Sequence, residues 1–345
     1  MELQDGEDYT YLPGIGGAVI GHAVRYHTEG YSGLGRLVRL GHAAFADLIA
    51  QGHVSPGELE DTGLLLNLSD GYFLKERSER QEKSSPGYTP DDETDNAEGY
   101  LQFQQECEEQ LIPRLCEPMG LRFHPKHRKL FFGGPAGFAS ILRTASELIQ
   151  SGQLKRCIVG GIDSLIDPLM IHALTELGVL KTPSHPVGQM PGEAAALLLL
   201  ERHAQVRVRA ARIDALLAEP HIEEEHVHRF SGQQPRGIAL VKAISRALPQ
   251  QSGQTPKLLI GNLNGDEWRA REWGMALTKL PPALRDARLW IPALSFGEIG
   301  AATGAVAACM GVRAFARGYA RTEDVLIWLS SDNGQKGAFR ITQSR

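Results

Sequence analysis

The sequence predicts an α/β fold, and three observations predict it. Short apolar runs of strand length, Thr62 to Asn67, Cys157 to Val159 and Ala194 to Leu200, alternate with longer stretches whose apolar residues recur at helical spacing. The same strand, helix, strand order recurs in weaker form after Arg212. With 345 residues, 42% of them hydrophobic, the chain has the length and apolar content for a large core in one big domain or two packed halves.

Taken in order, Gly35 to Gln51 reads as a helix, because Leu37, Val38, Leu40, Ala44, Phe45, Leu48 and Ile49 fall on one face. Thr62 to Asn67 follows as a strand. Residues 76–99 carry Arg77-Ser78-Glu79-Arg80-Gln81-Glu82-Lys83 and Asp91-Asp92-Glu93-Thr94-Asp95 with scarcely any apolar content, so burial cannot offset their ordering entropy. They are expected to form an exposed, mobile insertion. Phe138 to Ile149 is a helix closed by Ser151-Gly152, and Cys157 to Val159 is a buried strand. Two prolines, Pro183 and Pro186, and then Pro191-Gly192 mark a loop before the strand Ala194 to Leu200, and Glu201 to Arg207 reads as a link. The boundary between halves is placed there, at 1–205 and 206–345. Beyond it come a strand after Arg212, a helix around Gly237 to Leu248, a strand at Lys257 to Gly261 and a helix around Glu267 to Leu277. A strand at Leu289 to Ile291, a helix after Gly304 and closing strands at Val325 to Leu329 and Gly337 to Ile341 complete the pattern.

Charge narrows the function. A formal net charge of −5 and a pI near 6.2, without an obvious basic patch, argue against nucleic acid or a membrane surface as partner. The acidic start, Met1 to Asp8, is unlike a secretory signal, and no apolar run reaches membrane-spanning length, so the expected location is the cytoplasm. Cys107, Cys116, Cys157 and Cys309 lack metal-ligand spacing and read as small buried hydrophobes or surface thiols. No cofactor and no metal is expected. His221-Ile222-Glu223-Glu224-Glu225-His226-Val227-His228 has the makings of an opportunistic metal site, but a solvated loop or strand edge explains it better. Ser140 lies in a helix without a G-x-S-x-G, and His172 and His185 have no motif seating them beside a nucleophile.

Four segments carry the functional argument. The first is Phe131-Phe132-Gly133-Gly134-Pro135-Ala136-Gly137 before a helix. The second is Cys157-Ile158-Val159-Gly160-Gly161-Ile162-Asp163-Ser164, with Pro191-Gly192-Glu193-Ala194-Ala195-Ala196 after it. The third is Leu258 to Gly261 followed by Asn262-Leu263-Asn264-Gly265-Asp266, and the fourth is Ser295-Phe296-Gly297-Glu298-Ile299-Gly300-Ala301-Ala302-Thr303-Gly304. Together, in this order over most of residues 10–345, they resemble the β-ketoacyl-ACP synthases, the thiolase-fold condensing enzymes. That family has a nucleophilic cysteine at a strand-to-helix turn, a GG-x-D/E-S strand end, a P-G-E-G-A-A strand, an N-A-H-G strand end and S-M-T-G-H-x-x-G-A-A-G.

The resemblance implies two pseudo-symmetric βαβαβαββ halves in a five-layered α-β-α-β-α arrangement. It places the cysteine at Pro135, or at Gly134 if one gap is allowed, and the two histidines at Asn264 and Glu298. Decarboxylative condensation needs a thiolate to carry the acyl group and imidazoles to stabilise the enolate oxygen, and neither proline, glycine, asparagine nor glutamate supplies these. Ser330 to Gln335 stands where the family has a glycine-rich gating loop. The glycines at 133–137 also admit a reading as a phosphate cradle, but they lack the P-loop lysine and the dinucleotide G-x-G-x-x-G spacing, and a tight packed turn accounts for them. The implied function is therefore a catalytically inactive synthase-like partner. Such a protein is either chain-length-factor-like or an accessory or adaptor protein of a bacterial type VI secretion effector locus, the trimmed length favouring the latter. It would form a homodimer, or a heterodimer with a related synthase or effector, with an acyl carrier protein as a further candidate partner. The alternative is an enzyme of altered chemistry, an acyltransferase or hydrolase acting on acyl-CoA or acyl-ACP. In it Glu298 would be the general base, with Asp266 or Glu267 as second carboxylate. Against that, Glu298 at a pocket mouth would pair with an arginine or with solvent.

Overall fold

The computed structural model describes residues 9–11, 18–51, 54–55, 59–84, 97–208, 211–249 and 255–344. After a short antiparallel pair, β1 (Tyr9–Tyr11) and β2 (Ala18–Ile20), come α1 (Gly33–Ala50), β3 (Thr62–Leu68), α2 (Tyr72–Ser84), α3 (Ala97–Glu106) and α4 (Ile112–Cys116). They are followed by β4 (Arg128–Phe132), α5 (Gly134–Gln150), β5 (Arg156–Ser164), α6 (Pro168–Glu176) and β6 (Glu193–Glu201). Helix α7 (His203–Val208) leads into β7 (Ala215–Leu217), β8 (His221–Glu224), α8 (Ile238–Ala247), β9 (Leu258–Gly261), α9 (Glu267–Lys279) and β10 (Arg288–Trp290). The chain ends with α10 (Ala293–Phe296), α11 (Thr303–Ala316), β11 (Asp324–Ser330) and β12 (Gln335–Gln343).

One sheet runs β4-β3-β5-β6, parallel except for the antiparallel β6. The other runs β10-β9-β11-β12-β7, with β8 also on β12, and β10, β9 and β11 are again parallel while β12 is antiparallel. The two sheets repeat one plan, and each is followed through its outer parallel strand into a central helix, α5 or α11. Those helices fill the space between the sheets: Phe138, Ile141, Leu142, Ala145 and Ile149 of α5 join Ala305, Ala308 and Phe315 of α11 and both sheets in one core. Burying each such large side chain stabilises the fold by about 1.5–3 kcal/mol. The helices approach closely where glycine allows it, since a Cβ on Gly304 would lie 2.5 Å from the Phe138 Cβ. Helix α1 covers the first sheet from outside, and α8 and α9 cover the second. Five layers result, as the resemblance implied.

Two expectations change. Residues 76–84, expected to lie in an exposed, mobile insertion, continue α2, because Arg77 and Ser78 turn inward and Arg77 pairs with Glu176 of α6. The remainder of the charged stretch, 85–96, lies outside the described residues. The helices at 97–116 and 168–176 have no counterpart in the sequence pattern above. His221 to Glu224 is the expected strand edge, as β8; His228 is held by the Tyr72 hydroxyl at 2.9 Å, and no group of candidate metal ligands forms among the described residues. No described helix is long and apolar enough to cross a membrane.

Candidate functional site

The parallel strands of both sheets point towards one small cleft, lined by Asp70, Gly134, Pro135, Asp163, Arg269, Glu298 and Asp332 among others. Its floor is the turn from β4 into α5. Gly133 caps the helix, Gly134 opens it at φ +58°, and Pro135 occupies the first turn, where its missing N–H costs nothing. A Cβ built on Gly134 would lie 2.8 Å from Asp70 Oδ2, so Gly134 is a position from which a side chain would enter the cleft, and Asp70 already fills that space. Asn67, fully buried on β3, donates from Nδ2 to the Gly134 carbonyl at 2.7 Å and to the Ala301 carbonyl at 3.0 Å, tying the turn to the other half. Ser331 Oγ, in the turn from β11 to β12, accepts from the Ala136 N–H at 2.8 Å.

Asn264 and Glu298 do meet. Asn264 Nδ2 donates to Glu298 Oε2 at 2.6 Å and to Gln189 Oε1 at 2.9 Å. Glu298, 4% exposed, also receives the Gly300 N–H on Oε1 at 2.9 Å and Arg269 Nη1 on Oε2 at 2.6 Å. Arg269 in turn donates Nη2 to Asp332 at 2.5 Å and Nη1 to the Asn262 carbonyl at 3.0 Å. Both oxygens of Glu298 are engaged, so pairing with an arginine, not standing free as a base, describes it. Asp266 and Glu267 are not its second carboxylate. Asp266 caps α9 and is clamped by Arg229, while exposed Glu267 pairs with Arg271.

Sequence reasoning missed the groups that complete the cleft. Asp163, at the end of β5, accepts the Ala301 N–H at 2.8 Å and the Ser164 N–H at 2.9 Å, so it and Glu298 take successive amides of the 300–301 turn. Burial first, then the charges of Asp70 and Glu298, push its pKa up to about 7. Asp70 accepts from Asn333 Nδ2 at 2.9 Å, and burial, with Asp332 nearby, pushes its pKa up to about 6. Asp163 stood in the GG-x-D-S landmark and Asp332 in the last turn, so both had a signal; Asp70 and Arg269 had none. Among the described residues no cysteine or histidine lines the cleft. Three of the thiols are buried in the cores, and burial raises all four, to about 12 for Cys107, Cys116 and Cys157 and about 11 for Cys309, so none is a ready thiolate near neutral pH.

No protein-family model matches the chain. Oxytetracycline polyketide β-ketoacyl synthase 1 of Streptomyces rimosus is 28% identical over 135 residues, a stretch covering 33% of this chain and 32% of the synthase. The match thus spans about a third of that relative. Among solved structures, a type II polyketide synthase acyl-carrier protein in complex with its ketosynthase bound to a hexaketide matches with a TM-score of 0.71 at 15% identity, over 94% of this chain and 88% of that one. The ishigamide ketosynthase/chain length factor matches at 0.68 and 14% identity, over 96% and 90%. A β-ketoacyl synthase from Burkholderia phymatum matches at 0.62 and 15%, over 90% and 83%. The chain has the β-ketoacyl synthase-like, thiolase fold.

Proposed function

We propose that this chain is a non-condensing, β-ketoacyl synthase-like subunit that serves as the partner of a related synthase. The observation that carries this reading is the floor of the cleft. The position whose side chain would reach the reacting centre is Gly134, the space before it holds the Asp70 carboxylate, and the facing pair Asn264–Glu298 is locked to Arg269. A thioester has no atom on which to form there, and a second reading with Glu298 as general base finds both of its oxygens already bonded. The likeness to a ketosynthase/chain length factor supports a subunit role. So does β4, whose outer edge is unpaired among the described residues and whose side chains are mostly half-buried, a form suited to adding a strand from another chain. Transfer of acyl groups by an acyl carrier protein would then fall to the synthase, not to this chain.

Co-expression with a synthase encoded in the same neighbourhood, read by native mass spectrometry, tests this. A stable one-to-one complex is expected. A chain that ignores the synthase and co-purifies instead with secretion-effector proteins would replace the synthase-partner reading with the adaptor reading. Turnover of acyl-CoA or acyl-ACP by the chain alone would overturn both.

A further inference from the structure

We propose that the end of the first sheet remote from the cleft is a docking surface for an acidic segment of a partner protein. The proposal goes beyond the subunit role and does not depend on which chain adds to β4. The expectation of no local basic patch fails at one place. Arg122-Phe123-His124-Pro125-Lys126-His127-Arg128-Lys129 has four cations, two imidazoles and no carboxylate. Its shape is fixed: Phe123 is buried, His124 caps a single 3-10 turn at Pro125–His127, and Arg128 begins β4. Because β4 runs from Arg128 towards the cleft, four residues at about 3.3 Å each put the start of the strand about 13 Å from its cleft end.

The charge there is uncompensated among the described residues. Arg122, Lys126 and Lys129 are exposed and Arg128 is half-buried, and none has a carboxylate partner among the described residues. Lys129 lies 4.7 Å from the Phe131 ring centre, and Asp61, close enough to His127 to feel its charge, is taken by Lys155 at 2.7 Å. On a chain of net charge −5 such a strip attracts anions locally and repels them elsewhere. A nucleic acid, with a charge every ~1.7 Å of duplex, would run past the strip onto a repelling surface, and the one exposed ring it would find in the strip is His124, too little for a run of stacked bases. A short protein segment bearing three or four carboxylates fits the strip's length and charge, and the interaction would set partner choice and on-rate.

Fluorescence anisotropy with a short labelled glutamate-rich peptide tests the proposal on the full chain. Binding should weaken about tenfold or more between about 0.05 M and about 0.5 M salt, as screening of an exposed strip requires. Arg122→Glu/Lys129→Glu should lose at least about tenfold in affinity, while Arg313→Glu/Arg317→Glu, which changes the net charge equally at exposed sites on and just after α11, should keep it. Both variants alter exposed side chains, and unchanged thermal unfolding confirms their folding. Equal losses in both variants, retained binding in the first, equal binding of a glutamine-rich peptide, or tighter binding of a short DNA duplex would each overturn the proposal.

Discussion

Replacing Asp163 by asparagine should remove a specific pH dependence of stability. Asp163 is 5% exposed, and its carboxyl is raised from 3.8 to about 7, burial outweighing the two N–H groups that favour the charged form. The folded chain therefore holds this proton to a higher pH than the unfolded chain does. The contribution to stability is complete below the unfolded value, falls as pH rises from about 4 to about 7, and stays low above that. At 1.36 kcal/mol for each tenfold change in proton affinity, the loss across that window is about 4 kcal/mol. Asparagine has no charge to bury, but its NH₂ would face one of the two N–H donors of Ser164 and Ala301, which takes back about 1–3 kcal/mol. Urea unfolding from pH 4 to pH 8 measures the difference. Asp163→Asn should be no more stable than the parent at the acid end and more stable by about 1–3 kcal/mol at the alkaline end. Titrating groups away from the cleft move both curves alike, and Asp70→Asn in both chains removes the neighbouring carboxyl that titrates near 6. If the two curves stay parallel across the range, Asp163 is not the group that holds the proton, and the electrostatic account of the cleft fails.

Three further outcomes follow from the same geometry. Gly134→Cys places a Cβ 2.8 Å from Asp70 Oδ2 at a residue with φ +58°, so it should lower the unfolding free energy in urea by about 1–2 kcal/mol, and Asp70→Ala in the same chain should restore part of it. Arg269→Met strands Glu298 and Asp332 in the interior and should cost about 3–5 kcal/mol in the same assay, with partial recovery when Glu298→Gln and Asp332→Asn are added. Glu298→Gln alone should leave partner assembly unchanged by native mass spectrometry; loss of assembly with the fold intact would assign the carboxylate a role that the subunit reading does not give it.

The α/β class was legible because its signals are local, whereas the five layers were legible only through the family resemblance. Helix α5 shows its face through Phe138, Ile141, Leu142, Ala145 and Ile149, and β3 and β5 are near-continuous apolar runs of the kind a doubly covered parallel strand requires. Asn264 and Glu298 were legible as facing partners only through the order of the family-like segments, since 34 residues separate them. Arg269 was not legible: on α9 it reads as one more helical cation, and only the turn at Ser331 to Asn333, brought in from the far end of the chain, turns it into a buried bridge. Residues 76–84 misled for the opposite reason. Their composition is that of a solvated loop, but Arg77 finds its carboxylate on α6, and a paired charge can be buried where an unpaired one cannot.

The most direct test of the account is the intact mass of the chain after incubation with acyl-CoA and with acyl-ACP, followed by peptide mapping of residues 131–138. With Gly134 and Pro135 at the turn, no acyl adduct should appear on that segment, and no thiol or CO₂ should be released above the protein-free rate. An acyl group mapped between Phe131 and Phe138, or release of thiol that Glu298→Gln abolishes, would contradict the claim that this cleft does not carry out acyl chemistry.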